Sequence, residues 1–304
     1  MEKRNNKSMH GYILALASSV VIAPAVVANV FSLRLGASPF TLLASIYVFA
    51  ILACLLTIAK NGGMNKLKNT LIKYKYPMVA MGMTSGIMGA SWLYALILVG
   101  PSLLGFLMKF STVAIIALSI LFLKERFTKI EALGGTVAFA GAVIISYGTG
   151  EALLGGVLLA LASCVFFAIS QLVAKSYVSR VPPMEMNAIR LFFMLIFVII
   201  LGIATNTLIP PPIEALPFLV VAGLSGPFLS FYLYFKALKT VDLSKVALIG
   251  SIEPLAILIA SYAAFGEVMT LREAIGSIVI FIGVMTIMLS RHAPKLVARF
   301  ISEE

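Results

Sequence analysis

A chain of 304 residues with 61% hydrophobic and 12% charged side chains and a mean hydropathy of +1.07 is too apolar for a soluble domain, where roughly 45–50% apolar and 25% charged residues are usual. The formal net charge of +11 would suit nucleic acid, but the basic residues form short clusters between apolar runs and no continuous basic face, which argues against that class. Cys54 and Cys164 each lie inside an apolar run, with no second cysteine at metal or disulfide spacing, so they read as free buried thiols and give redox chemistry no support.

Residues 1–8 are polar and basic, and the apolar run that follows is too long for a signal-peptide core and lacks a cleavage site, so it stands as the first span. Apolar runs broken by charges, Pro and Gly predict ten spans near residues 11–31, 39–59, 77–99, 102–123, 129–147, 153–174, 184–204, 215–235, 243–265 and 271–290. Each is about the twenty residues that a ~30 Å hydrocarbon layer demands of a helix. With the N-terminus in the cytoplasm, nineteen of the 23 Lys and Arg residues fall on the inner side; Arg34 and Arg272 fall outside, and Lys109 and Arg190 lie within spans. That bias predicts a multi-pass protein with both termini, residues 1–8 and 291–304, in the cytoplasm. No connection is long enough to hold a soluble catalytic or receptor domain, so function must reside in the helix bundle.

The chain repeats itself. Residues 11–18 match residues 156–163 at an offset of 145, and at an offset of 142 Glu125, Thr128, Glu131, Gly134 and Gly141 match Glu267, Thr270, Glu273, Gly276 and Gly283. Five spans per repeat is an odd number, so the second half enters the membrane in the opposite sense. The expected fold is therefore all-α, ten transmembrane helices in two inverted-topology five-helix repeats, residues 9–147 and 152–290. A pseudo-two-fold axis in the membrane plane lets such halves exchange conformations around one central site.

The repeated pattern, Leu123-Lys124-Glu125 with Thr128, Gly134 and Gly141, and Phe265-Gly266-Glu267 with Thr270, Gly276 and Gly283, resembles the EamA-type half of the drug/metabolite transporter superfamily, over residues 11 to about 290. The resemblance implies a ten-helix carrier of amino acids, other metabolites, nucleotide sugars or drugs, and leans towards export. It leaves the substrate open.

Thr128-x-x-Glu131 and Thr270-x-x-Glu273 read as capping boxes at the starts of spans five and ten. The glycines seven apart, and Gly82-x-x-x-Gly86 in span three, read as places where helices approach closely. Glu253 is different. It lies near the middle of span nine, where a carboxylate costs about 2.5–3.5 kcal/mol on insertion scales, so it should face an aqueous cavity or a partner, or else be protonated and bonded to a neighbouring helix. Pro254 follows it and cannot donate its amide, which leaves a nearby carbonyl free for a ligand or water. Lys109 either snorkels outward or faces the cavity, there countering Glu253 or binding an anionic group of the solute. Arg190 either snorkels to headgroups or clamps a carboxylate or phosphate. Gln171, Asn29, Trp92 and Tyr94 are candidates for the path, although for the two aromatics an interfacial belt is the preferred account.

The expected partners are a small organic solute and membrane lipid, with no nucleic acid; homodimerisation is left open. No cofactor and no metal are expected, because His10 and His292 lie outside the spans and neither H-E-x-x-H nor G-x-S-x-G occurs. The expected activity is secondary transport across the plasma membrane by alternating access, with Glu253 the candidate proton carrier. An intramembrane enzyme lacks its nucleophile and base, and a non-transporting receptor is the remaining rival.

Overall fold

The computed structural model describes residues 2–123, 129–146, 151–241, 243, 246 and 249–301, and among these there is no strand. Among the described residues six helices are long and apolar enough to cross a bilayer: Met9–Arg34, Pro39–Lys60, Lys75–Val99, Leu153–Tyr177, Pro183–Ala204 and Ile213–Leu238. Shorter apolar helices cover Pro101–Ile115, Leu133–Ile144 and Glu253–Phe265.

In chain order, α1 (Glu2–Arg34) leads to α2 (Pro39–Lys60). Ser38 caps α2 by accepting from the Thr41 amide at 3.4 Å, and Pro39 sits where a missing N–H costs nothing. A short basic helix, α3 (Met64–Lys73), occupies what the sequence shows only as an inner connection. Next, α4 (Lys75–Val99) stops at Gly100, whose φ of +78° is open to glycine at little cost. The fourth predicted span is split into α5 (Pro101–Leu107) and α6 (Phe110–Leu123). Three uninterrupted helices follow, α7 (Lys129–Ser146), α8 (Glu151–Tyr177) and α9 (Pro183–Ala204). The eighth predicted span comprises α10 (Leu216–Gly223), a π-helical turn at Leu224–Ser230 that contains Pro227, and α11 (Phe231–Leu238). The ninth has a 3-10 turn at Gly250–Ile252 before α12 (Glu253–Phe265), and α13 (Leu271–Ile301) closes the chain.

The predicted capping box forms at the start of α13: the Glu273 amide donates to Thr270 Oγ1 at 3.3 Å and the Thr270 amide to Glu273 Oε2 at 2.7 Å. Its counterpart, Thr128 with the Glu131 side chain, lies outside the described residues, as does Glu125.

Helix α1 packs on α10, the π turn, α11 and α12; α4 packs on α8 and α9; α2 packs on α9 and α10; α5 meets α12, and α7 meets α13. Small residues set the closest of these approaches. A Cβ on Gly141 would lie 2.7 Å from the Gly276 carbonyl oxygen, and one on Gly283 would lie 2.6 Å from that of Gly134 while colliding with the Ala138 amide. Backbone cannot yield as a side chain can. Gly283→Ala should therefore cost about 1–3 kcal/mol through overpacking, read as a lower melting temperature of the detergent-purified protein. An unchanged melting temperature would show that α7 and α13 do not depend on this contact.

Between α12 and α13, Glu267 reaches the start of α5, where a Cβ on Gly100 would stand 2.7 Å from its Oε1. Burial pushes the Glu267 carboxyl above the usual glutamate range, partly offset by Ser102 and Arg34. The folded state thus binds this proton more tightly than the unfolded state. The resulting stabilisation is complete below the ordinary value of about 4.3 and is lost as pH rises through the raised value. Glu267→Gln should flatten the melting-temperature profile just above pH ~4.3; an unaltered slope there would remove Glu267 as its cause.

Candidate functional site

The interruptions in the fourth, eighth and ninth predicted spans all face one cavity of about 190 Å³. Its wall is built from α1, α2, α4, the α5–α6 break and the start of α6, α8, α9, the π turn, α11 and the start of α12. Asn29, Trp92, Lys109, Arg190 and Glu253 all line it. These five come from five different predicted spans, which the fold brings to one wall.

Pro254 sets the geometry at the ninth span. An α-helix would have the residue-254 amide donate to the carbonyl of residue 250, and proline has no N–H to give. The Gly250 carbonyl accepts instead from the Glu253 amide, which closes the 3-10 turn, and from Lys109 Nζ at 2.8 Å; the same ammonium pairs with Glu253 Oε2 at 2.9 Å. One lysine from the first half of the chain thereby joins a backbone carbonyl and the carboxylate of the second half. The carbonyl that the sequence offered to a ligand or water is thus occupied by Lys109. That lysine points inward, with 9% of its side chain exposed, and does not snorkel.

Arg190 also points inward and is wholly buried. Its guanidinium carbon lies 3.7 Å from the Phe231 ring centroid and 5.5 Å from that of Phe235, a stacking geometry open to arginine's flat cation. Nη2 donates to Asn187 Oδ1 at 3.1 Å. Asn187 in turn donates through Nδ2 to the Pro227 and Phe228 carbonyls of the π turn, at 2.9 and 3.3 Å. Two arginine nitrogens, Nε and Nη1, have no acceptor among the described residues, and Asn29 Oδ1 in the cavity wall has no donor.

Trp92 lines the cavity, so the interfacial belt preferred for it from sequence is not where its ring sits. Tyr94 packs edge-on against Phe40, with centroids 5.8 Å apart. Gln171 is completely buried but outside the cavity lining, and neither amide atom has a partner among the described residues. Both cysteines are free and buried, as expected.

Sequence reasoning missed Asn187, which holds Arg190, and Tyr47, Phe231 and Tyr234, which line the cavity. Asn187 carried a usable signal, since it precedes Arg190 by three residues and so shares its helix face. The aromatics carried none, because their type is ordinary in an apolar span.

This cavity can be compared with known proteins. Residues 9–147, and again 154–289, match the EamA-like transporter family. The chain belongs to that family. The two matched segments of this EamA-like protein agree with the family resemblance read from the sequence. A search of curated proteins gives no match. Among solved structures, one titled only "Crystal structure of protein" is similar, with a TM-score of 0.64 and 19% identity over 94% of this chain and 98% of that one. The likeness is one of fold.

Removing Lys109 would leave the Glu253 carboxylate without its counter-ion and the Gly250 carbonyl with the Glu253 amide alone. Breaking a buried pair from one side costs about 3–5 kcal/mol, while removing both charges costs far less. Lys109→Met should therefore lower the melting temperature more than Lys109→Met combined with Glu253→Gln does. Strictly additive losses would show that the pair is not coupled.

Proposed function

We propose that this EamA-like protein is a secondary transporter that moves a small organic metabolite, such as an amino acid or related compound, across the plasma membrane by alternating access, in the export direction. The observation that carries the reading is the cavity. A family of carriers, a bundle without a soluble domain, and convergent charged groups around a space of about 190 Å³ together favour solute passage over signalling or chemistry. A non-transporting receptor would bind the same solute without flux.

The proposed scaffold is ten spans in two inverted five-helix repeats, with both termini cytoplasmic. Three close pairings, α2 with α9, α7 with α13 and α5 with α12, each join a predicted span to its repeat counterpart. The packing of α1 on α10 and α11 has its counterpart in the packing of α8 on α4. The glycine contacts are reciprocal too, Gly141 at Gly276 and Gly283 at Gly134. A pairing scheme that survives exchange of the halves supports two related conformations of similar energy, and hence a site opened first to one side and then to the other.

Within this cycle Glu253 is assigned as the proton carrier. Protonation cancels its attraction for Lys109 and loosens the link between the fourth and ninth spans, which gives the proton a route to the conformational equilibrium. Flux into liposomes of amino acids, organic acids, nucleotide sugars and cationic drugs tests both parts. Wild-type protein should move at least one of these classes faster under an imposed pH gradient, and Glu253→Gln should lose that acceleration. Acceleration retained in the mutant removes Glu253 as the coupling group; no flux of any class removes the carrier reading.

A further inference from the structure

The charges lining the cavity do not balance. Two cations, Lys109 and Arg190, stand against one acid, Glu253, among the described lining residues. Glu253 is committed to Lys109 at 2.9 Å, and Arg190 has only the neutral Asn187 oxygen and an aromatic face. One Nε hydrogen and two Nη1 hydrogens are therefore unused in a fully buried guanidinium. A buried charge lacking both counter-ion and acceptors is costly to maintain, and the missing partner here is an anion.

That anion must be compact. Stacking on Phe231 fixes the guanidinium plane, and Asn187 is itself tied through Nδ2 to the π turn, so the arginine cannot readily swing away to find another acceptor. Around it the wall is apolar and aromatic, including Ile22, Met88, Trp92, Phe167, Met194 and Phe231. The same wall holds the unpartnered Asn29 Oδ1, an acceptor lacking a donor among the described residues. A volume of about 190 Å³ is below the roughly 300–1,000 Å³ of pockets for drug-sized ligands.

Building on the carrier reading above, we propose that the cavity takes a small organic monocarboxylate with an apolar body and at least one N–H or O–H donor, the carboxylate held by Arg190 and the donor by Asn29. An amino acid or hydroxy acid with an apolar side chain has this chemistry. The carboxylate pairs with the one cation that lacks a counter-ion; a hydroxy acid thereby balances the cavity charge, whereas a zwitterionic amino acid leaves its ammonium to the Asn29 oxygen. A nucleotide sugar brings too much charge and bulk, and a cation adds like charge to like.

The test uses the full-length protein in liposomes. Leucine, phenylalanine and their 2-hydroxy-acid analogues are each offered beside the corresponding amide, with a nucleotide sugar and a lipophilic cation as further probes. At least one acid should be carried, its amide at least tenfold less effectively. Arg190→Gln should weaken apparent affinity for that acid at least tenfold, and Arg190→Lys should recover part of it. The acid-to-amide comparison needs no mutant and so holds even if Arg190→Gln does not fold. Amides, cations or the nucleotide sugar carried as well as, or in place of, the acids would overturn the assignment, as would an Arg190→Gln variant of unchanged affinity. No flux of any probe would instead strike the carrier reading on which it rests.

Discussion

Every backbone carbonyl inside a hydrocarbon layer must find a donor within the protein, because no water is there to supply one. Helices meet that demand automatically, and a broken helix does not. Here the break that Pro254 makes at Gly250 is met by the Glu253 amide and by Lys109, and Lys109 itself leaves the chain at the break between α5 and α6. Two interruptions, each unfavourable alone, are thus joined through one ammonium that also holds Glu253. The cavity exists where it does because that bridge keeps the two broken helices facing each other, and the remaining polar groups are arranged around it.

A similar logic runs through the eighth predicted span. Pro227 lacks the amide that an α-helix would use, and the chain widens into a π turn whose carbonyls receive Asn187 Nδ2. Ser230 Oγ meanwhile donates to the Ser18 carbonyl at 2.9 Å, tying the turn to α1. Asn187 is thereby oriented with its oxygen towards Arg190. The backbone defect and the arginine's placement are one arrangement, so substitution at Asn187 would disturb both.

How much of this was legible in the sequence follows from what each feature depends on. Span positions and the repeat depend on composition and register along the chain, which a sequence displays directly, and Pro254 marked the ninth-span break because proline has one unavoidable consequence. The break at Met108 and Lys109 carries no Pro or Gly, and it arises from tertiary contact, so nothing local announced it. Glu253, Lys109 and Arg190 were conspicuous because charge within an apolar run is expensive. Their partners were not, since Phe231, Tyr234 and Tyr47 look like any lipid-facing aromatic until the helix rotation is known. Gln171 shows the opposite error: polarity within a span suggested a path-lining residue, yet helix rotation turns it away from the cavity.

Framework and chemistry diverge in one instructive respect. The glycine contacts between α7 and α13 are reciprocal, and the packing partners of the two halves correspond, so the scaffold treats the halves alike. The charged groups do not. Arg190 stands opposite Ser45 in the repeat alignment, and Glu253 opposite Ser111. A symmetric site would bind an unsymmetrical solute in two orientations with equal preference, whereas a wall with an arginine on α9 and an asparagine on α1 distinguishes one end of the solute from the other. Under the carrier reading, near-symmetry of the frame keeps two conformations close in energy, and asymmetry of the lining fixes which end of the solute leads. Selection can then act on the lining without unbalancing the exchange, because few of the residues that choose the solute are those that hold the halves together; Lys109 and Glu253, which do both, are where the two demands meet.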